Sequence, residues 1–128
     1  KEQYADFVLD FEWKALKADN WDSGVYFRYT SVPKGRPWPG GYQANIRKGM
    51  EGNVGELKGA TSKDLTKPGD WNRFVLTVRG AKASLEINGK PAWEADGLKE
   101  PKGYISLQAE VPGGGQFLFR NVRIKVLE

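Results

Sequence analysis

Apolar and polar residues alternate with a period of two along most of this chain. The odd-numbered residues from Phe7 to Trp13 are apolar, while Asp10 and Glu12 between them and Lys14 after them are charged. Such alternation predicts a β-strand that buries one face and exposes the other. The pattern recurs in further segments separated by turn-forming residues. The predicted strands are residues 7–14, 24–30, 42–47, 73–79, 83–87, 91–95, 104–109 and 117–126.

Turn signals between these segments indicate antiparallel neighbours. Asn88-Gly89 favours the tight type I′ hairpin turn, because both residues accept a positive φ. The alternation changes phase at Arg120-Asn121, which predicts a bulge or bend in the last strand. No segment has a convincing helical period. The fold class is therefore predicted to be all-β, an antiparallel β-sandwich, with residues 1–128 forming a single domain.

Composition narrows the chemistry that this fold can carry. The chain has 128 residues, 39% of them hydrophobic, and neither Cys nor His. The missing residue types exclude disulfides, thiol nucleophiles, Ser-His-Asp triads and Cys or His metal centres. Asp19, Asn20 and Asp22 offer oxygen ligands but lack the length and the terminal Glu of an EF-hand calcium loop. We therefore expect no metal and no cofactor, and any catalysis would use carboxylates, Lys, Tyr, Arg or amides. No apolar run is long enough to span a membrane.

The net charge of +4 is concentrated in one stretch of the sequence. Between residues 31 and 69 there are seven basic and three acidic residues, and elsewhere the charges cancel. Two interpretations stay open, a solvated lysine-rich surface and a site for an anionic or electron-rich ligand. No basic run or nucleic-acid-binding motif occurs, so we expect no nucleic-acid partner.

The first candidate site is a polar sheet face. Amide and guanidinium groups on the outward phase of neighbouring strands would give bidentate hydrogen bonds that suit the hydroxyl or carbonyl groups of a sugar, and nearby aromatic rings would stack on its C–H face. The alternative is the ordinary solvent face of an antiparallel sheet. The polar residues are Arg28, Gln43, Asn45, Arg47, Ser106 and Gln108, and the aromatic candidates are Trp38, Tyr26 and Tyr104.

Carboxylates near strand ends are the second candidate. Asp22, Glu56 and Glu110 lie in or beside predicted loops and could border the polar face. Glycoside hydrolysis commonly uses two carboxyl groups at a defined separation. No spacing rule selects two of these three residues, so the simpler interpretation of each is a solvated surface acid.

Seven motifs, in order along the chain, resemble the 3-keto-disaccharide hydrolase domain family, long known as a domain of unknown function in bacterial proteins classed with the glycosyl hydrolases. The resemblance covers most of the chain. The segments that carry it are residues 4–7 (YADF), 22–28 (DSGVYFR), 41–46 (GYQANI), 69–72 (GDWN), 78–80 with 87–90 (VRG, INGK), 103–108 (GYISLQ) and 119–124 (FRNVRI).

The resemblance implies a concanavalin A-like, laminarinase-like jelly roll with ligands on its concave sheet, 3-keto-glycosides or other glycans as substrates, and a secreted, periplasmic or cell-envelope location in a bacterium. It also implies that Arg28, Gln43, Asn45 and Gln108 belong to the site. The sequence departs from the family at Gln43, where Glu is usual, and at Lys58, where Tyr is typical. The usual N-terminal stretch is absent or trimmed, which would leave an edge or gap in the sandwich.

Two functions are compatible with these residues. The first is a glycoside hydrolase-type domain that acts on keto-sugars, with Arg28 and the amides polarising a carbonyl and Glu56, Glu110 or Asp22 as base. The alternative is a non-catalytic carbohydrate-binding module on the same fold, which Gln43 favours because an amide is neither acid nor base. In both cases the partner is a carbohydrate, and the sequence leaves the oligomeric state open.

Overall fold

The structure is a computed structural model that describes residues 3–16, 23–29, 42–47, 49–55, 57–67, 69–99, 101–107 and 117–127. Within these ranges all of the regular elements are strands, so no helix there is long and apolar enough to cross a membrane. The strands are β1 (Phe7–Ala15), β2 (Gly24–Tyr29), β3 (Tyr42–Asn45), β4 (Asn72–Arg79), β5 (Lys82–Ile87), β6 (Lys90–Asp96), β7 (Tyr104–Leu107) and β8 (Phe117–Val126).

These strands form two antiparallel sheets. The large sheet has the order β6-β5-β4-β1-β8, and the small sheet has the order β3-β2-β7. Interior strands of both sheets bury residues that the alternation assigned to a core, such as Leu9 and Phe11 in β1 and Phe27 in β2. One hydrophobic cluster contains residues of both sheets, so the sheets pack face to face as a sandwich. The predicted antiparallel sandwich is confirmed.

Aromatic rings fill the centre of this core. The ring of Phe74 lies 5.6 Å from that of Phe11 and 5.7 Å from that of Trp13, the latter in an edge-to-face arrangement. On the small sheet, Phe27 stacks on Tyr42 at 5.6 Å. Offset and edge-to-face contacts of this kind add to the stabilisation that comes from burying the rings. These rings therefore pack against one another along the inner face of each sheet.

A bulge interrupts β2 and changes which side chains share a face. Tyr26 lies opposite Ser106 of β7, and Tyr29 lies opposite Tyr104, so two residues of β2 face one residue of β7. The two residues of β2 at this position are Phe27 and Arg28, and Arg28 has a φ of 50°. An extra residue in one strand reverses the alternation beyond it. Tyr29 therefore lies on the same outer face as Tyr26, whereas an uninterrupted alternation from Val25 and Phe27 would place Tyr29 in the core.

The second bulge lies in β8, where the sequence predicted it. Asn121 has a φ of 55°, and the pairing of β8 with β1 shifts register between Asp10 and Glu12. Asparagine tolerates the left-handed region better than most residues. The phase change at Arg120-Asn121 was thus a correct prediction.

Ion pairs cover the outer face of the large sheet. Arg73 on β4 donates to both carboxylate oxygens of Asp10 on β1, at 3.0 and 2.6 Å. Arg120 on β8 donates to Glu12 at 2.7 Å, and the amide of Asn121 donates to the same carboxylate at 3.2 Å. The hydrogen bond from Arg73 lowers the pKa of Asp10, and those from Arg120 and Asn121 lower the pKa of Glu12.

These shifts predict how stability depends on pH. Both carboxyl groups have a lower pKa in the folded than in the unfolded chain, so their contribution is complete above the ordinary values of 3.8 and 4.5 and is lost as the pH falls through the folded values. We expect the urea midpoint to decrease between about pH 5 and about pH 3, and to decrease less in the Asp10→Asn, Glu12→Gln double variant. Glu94→Gln, at an exposed position on β6, is the control and should retain the wild-type slope. An equal decrease in the double variant would contradict the prediction.

Candidate functional site

The outer face of the small sheet gathers polar side chains from all three of its strands. Gln43 of β3 and Ser106 of β7 lie opposite Tyr26 on the central strand, and Asn45 lies opposite Gly24. Residues directly opposite one another in a sheet project from the same face. Since Val25 and Phe27 project into the core, these residues project away from it. Strand pairing therefore places four of the predicted residues on one face of the small sheet: Tyr26, Gln43, Asn45 and Ser106.

A glycine in β2 makes room for the amide of Gln43. A Cβ atom placed on Gly24 would lie 2.9 Å from both Cγ and Cδ of Gln43, and closer still to its Nε2. The Gln43 side chain therefore lies across the glycine, in space that any other residue would fill. Asn45 lies two residues further along β3 on the same face, and both amide residues are half-buried. Their position fixes two planar donor–acceptor groups on one side of the face.

Tyrosines occupy the other side of the same face. The rings of Tyr29 and Tyr104 lie 5.6 Å apart at 50°, on the paired ends of β2 and β7. Both are half-buried, whereas Tyr26 is only 7% exposed. Sequence reasoning identified Tyr26 and Tyr104 but missed Tyr29, because nothing in the sequence signals a bulge at an arginine. We call Tyr26, Tyr29, Gln43, Asn45, Tyr104 and Ser106 the outer polar face.

The structure corrects the prediction for Arg28. Its side chain is 1% exposed, and its guanidinium is directed at the end of the large sheet rather than outward with Gln43. Nε and Nη2 donate to the carbonyl of Ala5 at 3.2 and 2.6 Å, and Nη1 donates to the carbonyl of Gly80 at 2.6 Å. Nη2 also lies 3.5 Å from Asp6 Oδ1. Burial lowers the pKa of Arg28, and the charge of Asp6 opposes that shift.

This geometry gives Arg28 a structural role. The left-handed backbone of the bulge turns the side chain away from the outer polar face, and three of its hydrogen bonds go to main-chain carbonyls just before β1 and just after β4 of the other sheet. A planar guanidinium with several donors suits such a bridge. Arg28 is therefore not one of the side chains that project from the outer polar face.

Arg47 also lies elsewhere than the alternation predicted. Strand β3 ends at Asn45, whose N–H donates to the carbonyl of Asn53 at 2.9 Å. Arg47 follows in a tight turn, in which its carbonyl accepts from the N–H of Met50 at 2.7 Å. Its side chain is exposed beyond the end of the strand. Pairing with β2 therefore does not place Arg47 on the outer polar face.

The remaining predictions concern residues that the structure does not describe. They are Asp22, Trp38, Glu56, Gln108 and Glu110, and all five lie outside the described ranges. Within those ranges, β2, β3 and β7 carry no carboxylate. No group of three or more Asp or Glu side chains in the described part of the chain could hold a metal ion. What the described face offers is thus hydrogen bonding and aromatic surface.

Residues 1–125 match the sequence model of the 3-keto-alpha-glucoside-1,2-lyase-like domain. The chain belongs to this family. The resemblance drawn from the seven motifs is thereby confirmed. A comparison of the lyase-like domain with curated proteins finds no significant match.

Solved structures similar to this lyase-like domain share its sandwich. A putative glycosyl hydrolase from Parabacteroides distasonis superposes with a TM-score of 0.81 at 22% identity, over 99% of this chain and 81% of that chain. The carbohydrate-binding module CBM66 from Bacillus subtilis superposes with a TM-score of 0.72 at 14% identity, over 98% of this chain and 78% of that one. At these identities the similarity concerns the fold, and the predicted all-β jelly roll is confirmed.

Proposed function

We propose that this domain binds a carbohydrate on its outer polar face. The observation that carries the proposal is the placement of two amides, Gln43 and Asn45, on the same sheet face as the Tyr29–Tyr104 pair. Membership of a family named for a glucoside lyase supports a sugar as ligand. The likeness of the fold to a protein named as a carbohydrate-binding module is consistent with a carbohydrate ligand.

The chemistry of the face matches that of a sugar ring. Each amide offers a carbonyl acceptor and an NH₂ donor in one plane, which suits the alternating donor and acceptor roles of neighbouring hydroxyls. Tyrosine rings cover the apolar C–H face of the sugar and keep their hydroxyls available for hydrogen bonds. Because Gln43 and Asn45 are half-buried, a ligand that replaces their water must restore those hydrogen bonds, which favours polyhydroxylated ligands over apolar ones.

The binding proposal predicts a specific loss in Gln43→Met. Methionine retains the length of the side chain and removes both hydrogen-bonding groups, so affinity for a sugar identified on a glycan array should fall about tenfold or more. Gly24→Ala should weaken binding as well, because its new methyl group displaces the Gln43 amide. Isothermal titration calorimetry measures both effects. Gln3→Met, at an exposed position near the N-terminus, is the matched control and should bind like the wild type.

Two results would count against this proposal. One is the absence of binding to any glycan by the folded wild-type chain. The other is unchanged affinity in Gln43→Met, which would show that the sugar is held elsewhere.

Cleavage of 3-keto-glycosides is the second candidate function, and the family match favours it. A ketone at C3 acidifies the C–H at C2, so a carboxylate base would remove that proton. A C1=C2 double bond then forms as the C1–O glycosidic bond breaks, the leaving oxygen takes a proton and departs as an alcohol, and water adds across the double bond with its oxygen on C1. Since Arg28 is buried, the carbonyl would be polarised by the amides of Gln43 and Asn45. The base would be the carboxylate of Asp22, Glu56 or Glu110. A secreted or cell-envelope location is part of this proposal.

Measuring the release of sugar from a 3-keto-glucoside distinguishes carbohydrate binding from cleavage. Incubation with a 3-keto-glucoside should release free sugar, and one of Asp22→Asn, Glu56→Gln or Glu110→Gln should abolish release while binding persists. Gln43→Met should reduce binding and release together. Binding with no sugar release above buffer would reject the lyase-type activity and leave the binding module.

A further inference from the structure

The turn between β5 and β6 contains an asparagine that is followed by glycine. Of the six asparagines in the sequence, Asn88 is the one with this neighbour, and the other five precede Trp, Ile, Val or Arg. Asn88 has a φ of 53° and Gly89 a φ of 82°, as a type I′ turn requires. Glycine has no Cβ to obstruct the approach of its main-chain nitrogen to the side chain before it. Asn88 is therefore the asparagine of this chain that is most open to deamidation by its own backbone.

Deamidation at this position needs no reactant other than water. The main-chain nitrogen of Gly89 attacks Cγ of Asn88, the Cγ–Nδ2 bond breaks, and Nδ2 leaves as ammonia with the proton that the glycine nitrogen gives up. The product is a five-membered succinimide, which water opens at either of its carbonyl groups. One opening gives aspartate, and the other gives isoaspartate, whose main chain is longer by one methylene group. The net change is one water consumed and one ammonia released.

Hydrogen bonds hold the Asn88 amide in the folded domain. Nδ2 donates to the carbonyl of Leu65 at 2.9 Å and to Oδ1 of Asn72 at 3.0 Å. Oδ1 accepts from the N–H of Arg73 at 2.9 Å. Closing the succinimide ring removes Nδ2 and bonds Cγ to the Gly89 nitrogen, so the hydrogen bonds of the amide must break first. The side chain is also half-buried, which limits its replacement partners among water molecules.

The acceptor on Asn72 is itself fixed in orientation. Asn72 is 1% exposed, and its Oδ1 also accepts from the N–H of Lys67 at 2.7 Å. Its Nδ2 donates to the carbonyls of Lys67 and Asp70 at 3.0 and 3.1 Å. Turning the Asn72 amide over would set donor against donor and acceptor against acceptor at these partners. Asn72 therefore presents an oxygen, and not a nitrogen, to Asn88.

A deamidated side chain cannot rebuild this network. In an aspartate at position 88, one carboxylate oxygen could still accept from the N–H of Arg73. The other oxygen would face the carbonyl of Leu65 and Oδ1 of Asn72, which are both acceptors, and acceptors left without a donor are destabilising. Isoaspartate lengthens a turn that has room for two residues. Either product therefore weakens the contact between this turn and the segment that carries Leu65.

We propose that Asn88 is a deamidation site that the folded domain protects and that transient opening of the β5–β6 turn exposes. Native domains open locally with free energies below that of global unfolding. Each opening lets Gly89 attack, and the product then closes poorly, so a reversible opening becomes a permanent loss of stability. The turn belongs to the large sheet, and the proposal is independent of sugar binding on the small one.

Mass spectrometry of the wild-type chain tests the protection. The protein is incubated near neutral pH, folded in buffer and unfolded in guanidinium chloride, and is then digested with trypsin. The tryptic peptide of residues 83–99 contains Asn88 as its sole side-chain amide, so conversion of an amide to a carboxylate in that peptide reports this site. Conversion should be at least about tenfold slower in the folded chain. Gly89→Ala should slow conversion in the unfolded chain, because its Cβ obstructs the attack.

Two pairs of variants test the network. Asn72→Ala removes the acceptor for Nδ2 of Asn88 and should speed deamidation of the folded chain. Asn53→Ala removes the acceptor for the N–H of Ser62 instead, and should deamidate at the wild-type rate. Asn88→Asp, which carries the charge of the product, should lower the folded-to-unfolded ratio about tenfold or more in urea titrations. Asn53→Asp makes the same change in charge but keeps its acceptor oxygen, and should retain the wild-type stability.

Three outcomes would overturn the proposal. Equal rates in the folded and the unfolded wild type would show that the fold does not protect Asn88. A wild-type rate in Asn72→Ala, shown by circular dichroism to be folded, would mean that the amide network is not what protects it. Unchanged stability of Asn88→Asp would show that deamidation has no structural consequence. The first comparison uses the wild type, so it stands even if a variant fails to fold.

Discussion

The Arg28→Ala substitution is expected to destabilise the domain by about 3–5 kcal/mol, out of a total that is ~5–15 kcal/mol for domains of this kind. The guanidinium is buried and donates to the main-chain carbonyls of Ala5 and Gly80. Its removal leaves those acceptors without their donors and opens a cavity the size of the side chain. The link between β2 and the end of the large sheet is lost with it.

Urea unfolding at neutral pH measures this loss. Arg79→Ala is the matched control, because Arg79 precedes Gly80 and is exposed, and it should change stability by no more than about 0.5 kcal/mol. Arg28→Lys keeps the charge but cannot donate to both carbonyls in one plane, so most of the loss should remain. A fully stable Arg28→Ala protein that no longer binds sugar would contradict the structural role and return Arg28 to the ligand site.

Arg28 also shows where alternation fails as a predictor. The period of two correctly assigns Gln43, Asn45 and Tyr26 to one face, because β3 and the first half of β2 pair without interruption. Past the bulge the same rule places Arg28 outward and Tyr29 inward, and both assignments are wrong. Bulges with a positive φ favour Gly or Asn, and Arg28 is neither. The interaction that stabilises the unusual backbone is a tertiary bridge to Ala5 and Gly80, which local sequence does not reveal.

The bulge in β8 was predictable for the opposite reason. Asn121 suits a positive φ, and the apolar pattern visibly changes phase there, from Phe119 to Val122 and Ile124. The exposure of this strand was not visible in the sequence. Its alternation is that of an ordinary half-buried strand, whereas Ile124 is 39% exposed, and the small sheet has three strands against five in the large one within the described residues. The local sequence pattern thus predicted the strands and, for most of them, which face is buried. The width of each sheet and the contacts that bridge the two sheets could be seen only in the structure.

The Gly103→Ala substitution is expected to cost about 3 kcal/mol through a clash of main chain with main chain. A Cβ on Gly103 would meet Cα and the carbonyl carbon of Arg28, and it would lie 2.7 Å from the N atom of Tyr29. Gly103 is also held by two hydrogen bonds with Tyr4, at 2.7 and 3.1 Å. Neither neighbour can yield by rotating a side chain, so the backbone of the bulge must move. Chemical or thermal unfolding measures the effect.

Gly55→Ala is the control for this prediction, because a Cβ there would meet no atom within 4 Å. It should leave stability unchanged or raise it slightly, since alanine restricts the unfolded chain. Equal stability of the two variants would contradict a close approach at Gly103. The clash and the Arg28 bridge act on the same bulge, so the Gly103→Ala, Arg28→Ala double variant should lose less than the two single losses added together. Simple additivity would mean that Gly103 and Arg28 stabilise the domain independently.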